Sequence, residues 1–160
     1  MAVNMEGEET IEAPIGEVWK ALNDPDVLKA SIPGCESLEK KSETEMAATV
    51  SLKIGPIKAK FSGEVELKNL KPPHSYTIQG EGKGGIAGFA KGGADVELVE
   101  KGPNETLLTY KVNADVGGKI AQLGSRLIMS TSKKLAGQFF SNLNEQVSKA
   151  WRDRGRDGRT

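Results

Sequence analysis

The sequence predicts an α+β domain in which one long C-terminal amphipathic helix lies against a curved antiparallel sheet. Three observations predict it. Apolar residues alternate at period two between residues 46 and 116, glycine and proline pairs punctuate that stretch, and from residue 118 the period becomes helical. At 160 residues the chain suits one domain with a substantial core. Aromatics make up only 5% and glycines number 19, so aliphatic and small side chains must build that core.

Residues from Met5 to Ala13 alternate weakly and read as a first strand. Pro14 suits the first position of a helix, and Ile15, Val18, Trp19 and Leu22 then share one face. Asn23-Asp24-Pro25 stops that helix and starts a second, shorter one through Leu28, closed by Ile32-Pro33-Gly34. From Cys35 the period changes to two. In Met46–Ile54 the apolar set is Met46, Ala48, Val50, Leu52 and Ile54. Gly55-Pro56 turns the chain, and Ile57, Ala59, Phe61, Gly63, Val65 and Leu67 alternate with lysines, serine and glutamates. Such a hairpin has one wet face, which belongs to an antiparallel sheet. Further strands span Tyr76–Gly82, Gly88–Glu100 (Ala94, Val96 and Leu98 inward) and Thr106–Val116 (Leu108, Tyr110, Val112, Ala114 and Val116 inward). Gly92-Gly93 marks an expected bulge or bend.

After Gly117-Gly118 one helix is expected to about Trp151. Its apolar stripe is Ile120, Leu123, Leu127, Thr131, Leu135, Phe139, Leu143 and Val147, with Lys133, Lys134, Gln138 and Asn142 on the solvated side. Gly124 and Gly137 within it suggest close packing or slight bends. Residues 1–151 thus form a single domain, and residues 152–160 read as a polar, disordered tail.

Acidic and basic residues balance at 22 each, which gives no global field toward nucleic acid or an anionic membrane. The single cysteine, Cys35, suits a reducing compartment, no apolar run is long enough to span a bilayer, and the acidic N-terminus lacks a signal-like apolar stretch. The expectation is a cytoplasmic protein with at most peripheral membrane contact. The basic tail from Lys149 to Arg159, beginning beside Trp151, could touch such a surface, but its two aspartates favour solvation.

Nothing reads as catalytic apparatus. Gly80-Glu81-Gly82-Lys83-Gly84-Gly85 matches GxGxxG formally, yet a strand rather than a helix follows it, so it reads as a glycine-rich hairpin. His74, the only histidine, sits in a Pro-Pro turn without metal-ligand company. Cys35 lacks an activating base, Asp24 and Asp26 read as helix caps, and Glu8/Glu9 and Glu64/Glu66 occupy surface strand positions.

One signal does point to a site. Ala48, Ala59, Gly63, Gly80, Gly82, Ala90, Ala94 and Ala114 fall on or near the sheet face that should meet the long helix. Cores normally fill their volume, so this helix-grip arrangement either brings the helix very close or leaves a void. A void would be lined by Met46, Phe61, Tyr76, Ile78, Phe89, Tyr110, Leu123 and Leu127, with Ile120 and Thr131 also on the helix side. That set is apolar with a few hydroxyl handles, as in small-molecule pockets. The first half of the helix, Ile120 to Thr131, is the expected lid, and Leu135 to Val147 the structural half.

Several segments carry a family resemblance. Glu12-Ala13-Pro14-Ile15 with Val18-Trp19, Leu22-Asn23-Asp24-Pro25 with Val27-Leu28, and Ile32-Pro33-Gly34-Cys35-Glu36 resemble the family of CoxG, a carbon monoxide dehydrogenase protein. So do Lys53-Ile54-Gly55-Pro56, Pro72-Pro73-His74-Ser75-Tyr76 and Gly117-Gly118-Lys119-Ile120-Ala121-Gln122-Leu123-Gly124. The resemblance runs from about Met5 to Val147. It implies the START-like (SRPBCC) helix-grip fold, whose members hold hydrophobic ligands between a curved sheet and a long helix. It also implies association with molybdenum hydroxylases of the carbon monoxide dehydrogenase type and, for some members, quinone binding and electron delivery toward a membrane. Those members carry a C-terminal extension for membrane attachment, whereas this chain stops shortly after its helix. The expectation is a non-enzymatic module with no tightly bound cofactor and no metal, holding a quinone- or lipid-like molecule. A polyketide cyclase/aromatase-like enzyme and a chaperone-like assembly factor are the alternatives.

Overall fold

The computed structural model describes the backbone of residues 1–157 and the side chains of residues 1–154. Its strands are β1 (Ala2–Ile11), β2 (Cys35–Lys40), β3 (Glu45–Ile54), β4 (Ile57–Lys71), β5 (Ser75–Lys83), β6 (Phe89–Gly102) and β7 (Glu105–Gly117). They form one antiparallel sheet in the order β1-β7-β6-β5-β4-β3-β2. From β2 to β7 the chain is a meander, as the short turns predict, and β1 pairs with β7 to complete it. Two short helices, α1 (Ile15–Leu22) and α2 (Pro25–Ser31), carry the chain from one sheet edge to the other. The strand β2 lies on a segment where the alternation is too short to define it from sequence.

Local chemistry explains the helix ends. Pro14 is the residue before α1 rather than its first, and its carbonyl accepts from the Glu17 and Val18 amides at 3.0 and 3.1 Å. Asp24 caps α2, its carboxylate accepting from the Asp26 amide at 2.9 Å. The long helix is not continuous from residue 118. A short 3-10 turn, Lys119–Leu123, ends at Gly124, whose φ of +95° is left-handed, and α3 (Ser125–Asp157) starts after it. Gly137 has no atom within 4 Å of where a Cβ would stand, so it marks no close packing. At Gly92-Gly93 the β5–β6–β7 register runs without a shift, so there is no bulge. A Cβ there would instead stand 2.1 Å from the Asn113 carbonyl oxygen and 2.2 Å from that of Ile78, which requires glycine at both positions.

The core divides into two clusters at opposite ends of the helix. The first gathers Ile11, Val18, Leu22, Leu28, Met46, Leu67, Val96, Leu108, Phe140, Leu143 and Val147. The second holds Val3, Ile54, Phe61, Ala87, Val116, Ile120 and Ile128. Polar bonds pin the C-terminal half of α3 beside the first. The Asn142 amide donates to the Ser31 carbonyl at 3.0 Å, so Asn142 is not on the solvated side. The Asn144 amide oxygen accepts from the Glu12 amide at 3.3 Å and from the Ser148 hydroxyl at 2.8 Å. Thr106, fully buried, donates to the Ala13 carbonyl at 2.8 Å.

The helix also continues beyond Trp151, where the sequence reads as the start of a tail. Trp151 donates to the Asn104 side chain at 3.2 Å, Arg152 pairs with Glu12 at 3.9 Å, and Arg154 pairs with Glu17 while lying 5.7 Å from the Trp151 ring centre. These contacts give the charged residues partners that sequence spacing does not reveal. Gly158, Arg159 and Thr160 of the expected tail lie outside the described residues.

Leu143 is fully buried where α3, α1 and the sheet meet, so Leu143→Ala should lower the unfolding free energy by about 2–5 kcal/mol in urea titrations.

Candidate functional site

The inward face of the sheet is thinned along two cross-strand rows. In one, Ala48 faces Gly63, Gly63 faces Gly82, and Gly82 faces Ala90. In the next, Val65 faces Gly80, Gly80 faces Gly92, and Gly92 faces Ala114. Strand alternation places all of them on the side of the buried Met46, Phe61, Leu67, Tyr76 and Val96. Gly80 permits close backbone approach, since a Cβ there would stand 2.6 Å from the Val65 side chain. At Gly82 a Cβ would meet nothing within 4 Å, so this glycine faces open space.

The helix is thinned at the same level. Its buried line runs from Ile128 to Phe140 through Ser132 and Ala136, two small residues that are only half-buried. The backbone of α3 makes its main close approaches to α2, β1, α1 and β3, not to the central strands β4, β5 and β6. Between the two clusters, Ala48, Val50, Ala94 and Val112 on the sheet and Leu127 and Leu135 on the helix are half-buried and belong to neither cluster. Of the two outcomes the small residues allow, close packing or a void, the structure has an apolar trough open to water-sized molecules.

The predicted lining residues distribute unevenly around it. Ile78, Leu123, Leu127 and Thr131 are half-buried around the trough. Met46 seals one end within the first cluster, and Phe61 and Ile120 seal the other within the second. Tyr110 reaches across Gly7, its register partner on β1, and stacks on Phe140 with ring centres 4.3 Å apart. A Cβ on Gly7 would stand 2.4 Å from the Tyr110 hydroxyl, so this ring is a bracket between sheet edge and helix. Phe89 does not line the trough. It shares a register position with Lys83 and Gly117 on the outer face and is 38% exposed. The period of β6, with Val96 and Leu98 inward, already puts an odd-numbered residue outside; aromatic character is what wrongly suggests Phe89. Ser132 and Ala136 are the residues sequence reasoning missed, and their signal is a four-residue step of small side chains within an otherwise bulky stripe.

Tyr76 is 7% exposed and meets Trp19 edge-on at 5.5 Å between ring centres. Burial alone drives its hydroxyl far above the ordinary phenol range, with no hydrogen bond contributing. Burial, followed by the Glu9 carboxylate, also raises Tyr110. Burial pushes the Cys35 thiol up despite Lys29 nearby, and that thiol donates to the Ser37 carbonyl at 3.3 Å. It is a quiet thiol. His74 is exposed in the β4–β5 turn, and among the described residues no group of three or more His, Cys, Asp or Glu is placed to hold a metal. The most prominent surface depressions lie on the outer face of the sheet, one of about 790 Å³ edged by Glu6, Glu8, Asp95, Glu97 and Lys111. Their charged, exposed walls make them furrows between rows of surface side chains, not apolar sites.

The family model for the carbon monoxide dehydrogenase protein CoxG matches residues 7–148. The chain belongs to the CoxG family. No curated protein sequence matches it. Among solved structures, a conserved protein from Geobacillus kaustophilus is 32% identical, with a TM-score of 0.86 over 92% of this chain and 97% of that one. A START superfamily protein from Mycobacterium smegmatis is 12% identical, with a TM-score of 0.71 over 92% and 98%. The Zhui aromatase/cyclase of a Streptomyces species is 11% identical, with a TM-score of 0.68 over 93% and 95%. The fold of this CoxG-family chain is therefore the START-like helix-grip fold.

Both tyrosines hold their protons more tightly folded than unfolded. Their stabilisation is complete below the unfolded phenol value of about 10 and is lost as pH rises above it. Denaturation midpoints measured across alkaline pH should fall steeply for the native chain and less steeply for Tyr76→Phe.

Proposed function

We propose that this CoxG-family chain is a non-enzymatic module that holds one hydrophobic, quinone- or lipid-like molecule between sheet and long helix, in the service of a molybdenum hydroxylase of the carbon monoxide dehydrogenase type. The observation that carries the reading is the pair of apolar walls, Ala48, Val50, Ala94 and Val112 opposite Leu127 and Leu135, left without partners between two sealed clusters. Apolar surface held open to water is unfavourable, and a ligand that covers it recovers the burial. The family supports the partner, since it is named for carbon monoxide dehydrogenase.

The polar groups support binding over turnover. Glu64, Glu66 and Glu81 stand on the outer face, while Tyr76 with the half-buried Thr131 and Ser132 are the polar side chains near the trough. One buried tyrosine suits hydrogen bonding to a carbonyl or hydroxyl on an otherwise apolar ligand better than it suits paired acid and base chemistry.

Native mass spectrometry and organic extraction of the purified protein should yield a bound apolar compound, and menaquinone analogues should bind in fluorescence titrations. No extracted compound together with no analogue binding would sink the reading. Gly82→Leu, which projects a side chain into the open space, should leave the denaturation midpoint within about 1 kcal/mol of the native value while weakening analogue binding at least roughly tenfold.

A further inference from the structure

One end of the sheet gathers the β3–β4 turn, the β5–β6 loop and the turn that precedes α3. There Ile86 is 88% exposed, the most exposed of the large apolar side chains among the described residues. It is not a loose loop residue. It sits in a 3-10 turn, Gly85–Ala87, closed by a 2.8 Å bond from the Gly84 amide to the Gly88 carbonyl and by further bonds within the turn. Left-handed backbone at Gly85 and Gly88 (φ +61° and +122°) sets the turn, and Ala87 beside it is buried in the second cluster. The chain thus holds one neighbour in the core while presenting Ile86 fully to the outside, with Phe89 next to it. Gly88 and Gly118 touch, so the 3-10 turn bearing Lys119 packs directly beside this tip.

Charge at this end is one-sided. The acids already have partners: Glu36 with Lys60 at 3.0 Å, Glu81 with Lys83 at 4.0 Å, and Asp115 with the N-terminal ammonium at 2.9 Å. Lys53, Lys58, Lys119 and Arg126 are exposed and form no ion pair among the described residues. Lys53 and Lys58 stand directly opposite each other across the β3–β4 hairpin, a like-charge pairing that costs stability unless an anion lies against it. The whole chain carries no net charge, so this basic end is a local segregation.

We infer that this end docks on an anionic lipid bilayer, with Ile86 inserting at the interface and Lys53, Lys58, Lys119 and Arg126 meeting lipid phosphates. An apolar tip ringed by uncompensated cations fits a surface that offers an apolar layer beneath negative headgroups, and an acidic soluble protein would leave Ile86 without a partner. The contact is independent of the trough's ligand and lies at the opposite end from the basic C-terminal residues, whose arginines Arg152 and Arg154 are paired with Glu12 and Glu17.

Co-sedimentation of the whole protein with vesicles of phosphatidylcholine, alone or mixed with phosphatidylglycerol, tests this without any trough ligand. Binding should require phosphatidylglycerol and weaken with salt. Lys53→Glu and Lys58→Glu should each weaken binding about fivefold or more, and Ile86→Ser roughly tenfold. All three positions are exposed, so the variants keep the fold, and Lys20→Glu on α1 should bind as the native chain does. No sedimentation with phosphatidylglycerol vesicles, or equal sedimentation of Ile86→Ser and the native chain, overturns the proposal.

Discussion

Everything in this structure depends on how α3 is held at its two ends. Leu143, Val147 and Phe140 lock its C-terminal half into the first cluster, and Asn142 and Asn144 tie it to α2 and to the strand end before α1. At the other end Ile120 and Ile128 pack into the second cluster. A helix clamped at both ends needs no close packing in between. A helix held by one continuous seam would have been drawn onto the sheet by burial of its middle, since apolar area removed from water is the main favourable term in folding.

The sheet can tolerate missing side chains for a different reason. Seven strands in continuous antiparallel register satisfy their backbone groups among themselves, so Gly63, Gly80, Gly82 and Gly92 are not required to contribute packing. Glycine in a strand interior costs conformational entropy. Here it is partly offset where backbones approach too closely for a Cβ, as at Gly80, Gly92 and Gly93. At Gly82 no such contact exists, and the absence of a side chain leaves only space.

Much of this was legible in the sequence because two periods run strongly. The alternation from Met46 to Leu67 set both strand type and face, and the small residues on that face pointed to a trough before its walls could be placed. Three features were hidden by kinds of interaction that spacing does not encode. The continuation of α3 past Trp151 rests on partners far away in the chain, Asn104, Glu12 and Glu17. The break at Gly124 is a backbone conformation, and glycine within an apolar stripe is equally compatible with an unbroken helix. The outward placement of Phe89 was available from the period and was overridden by its aromatic character. Tyr110, by contrast, faces inward as expected, but its register partner Gly7 lets it lean across β1, and such a partnership appears only once the strand order is known.

The open position at Gly82 has a consequence for how chains of this kind can diverge. The residues that fold the protein, Leu143, Ile11, Leu108 and Val18 among them, are not the ones that shape the trough. Substitutions at Gly82, Val50, Ala94, Ser132 and Ala136 can therefore remodel the chamber without drawing on the interactions that keep the chain folded. Shape and stability are separately adjustable, and a single scaffold can change what it accommodates while its architecture stays the same.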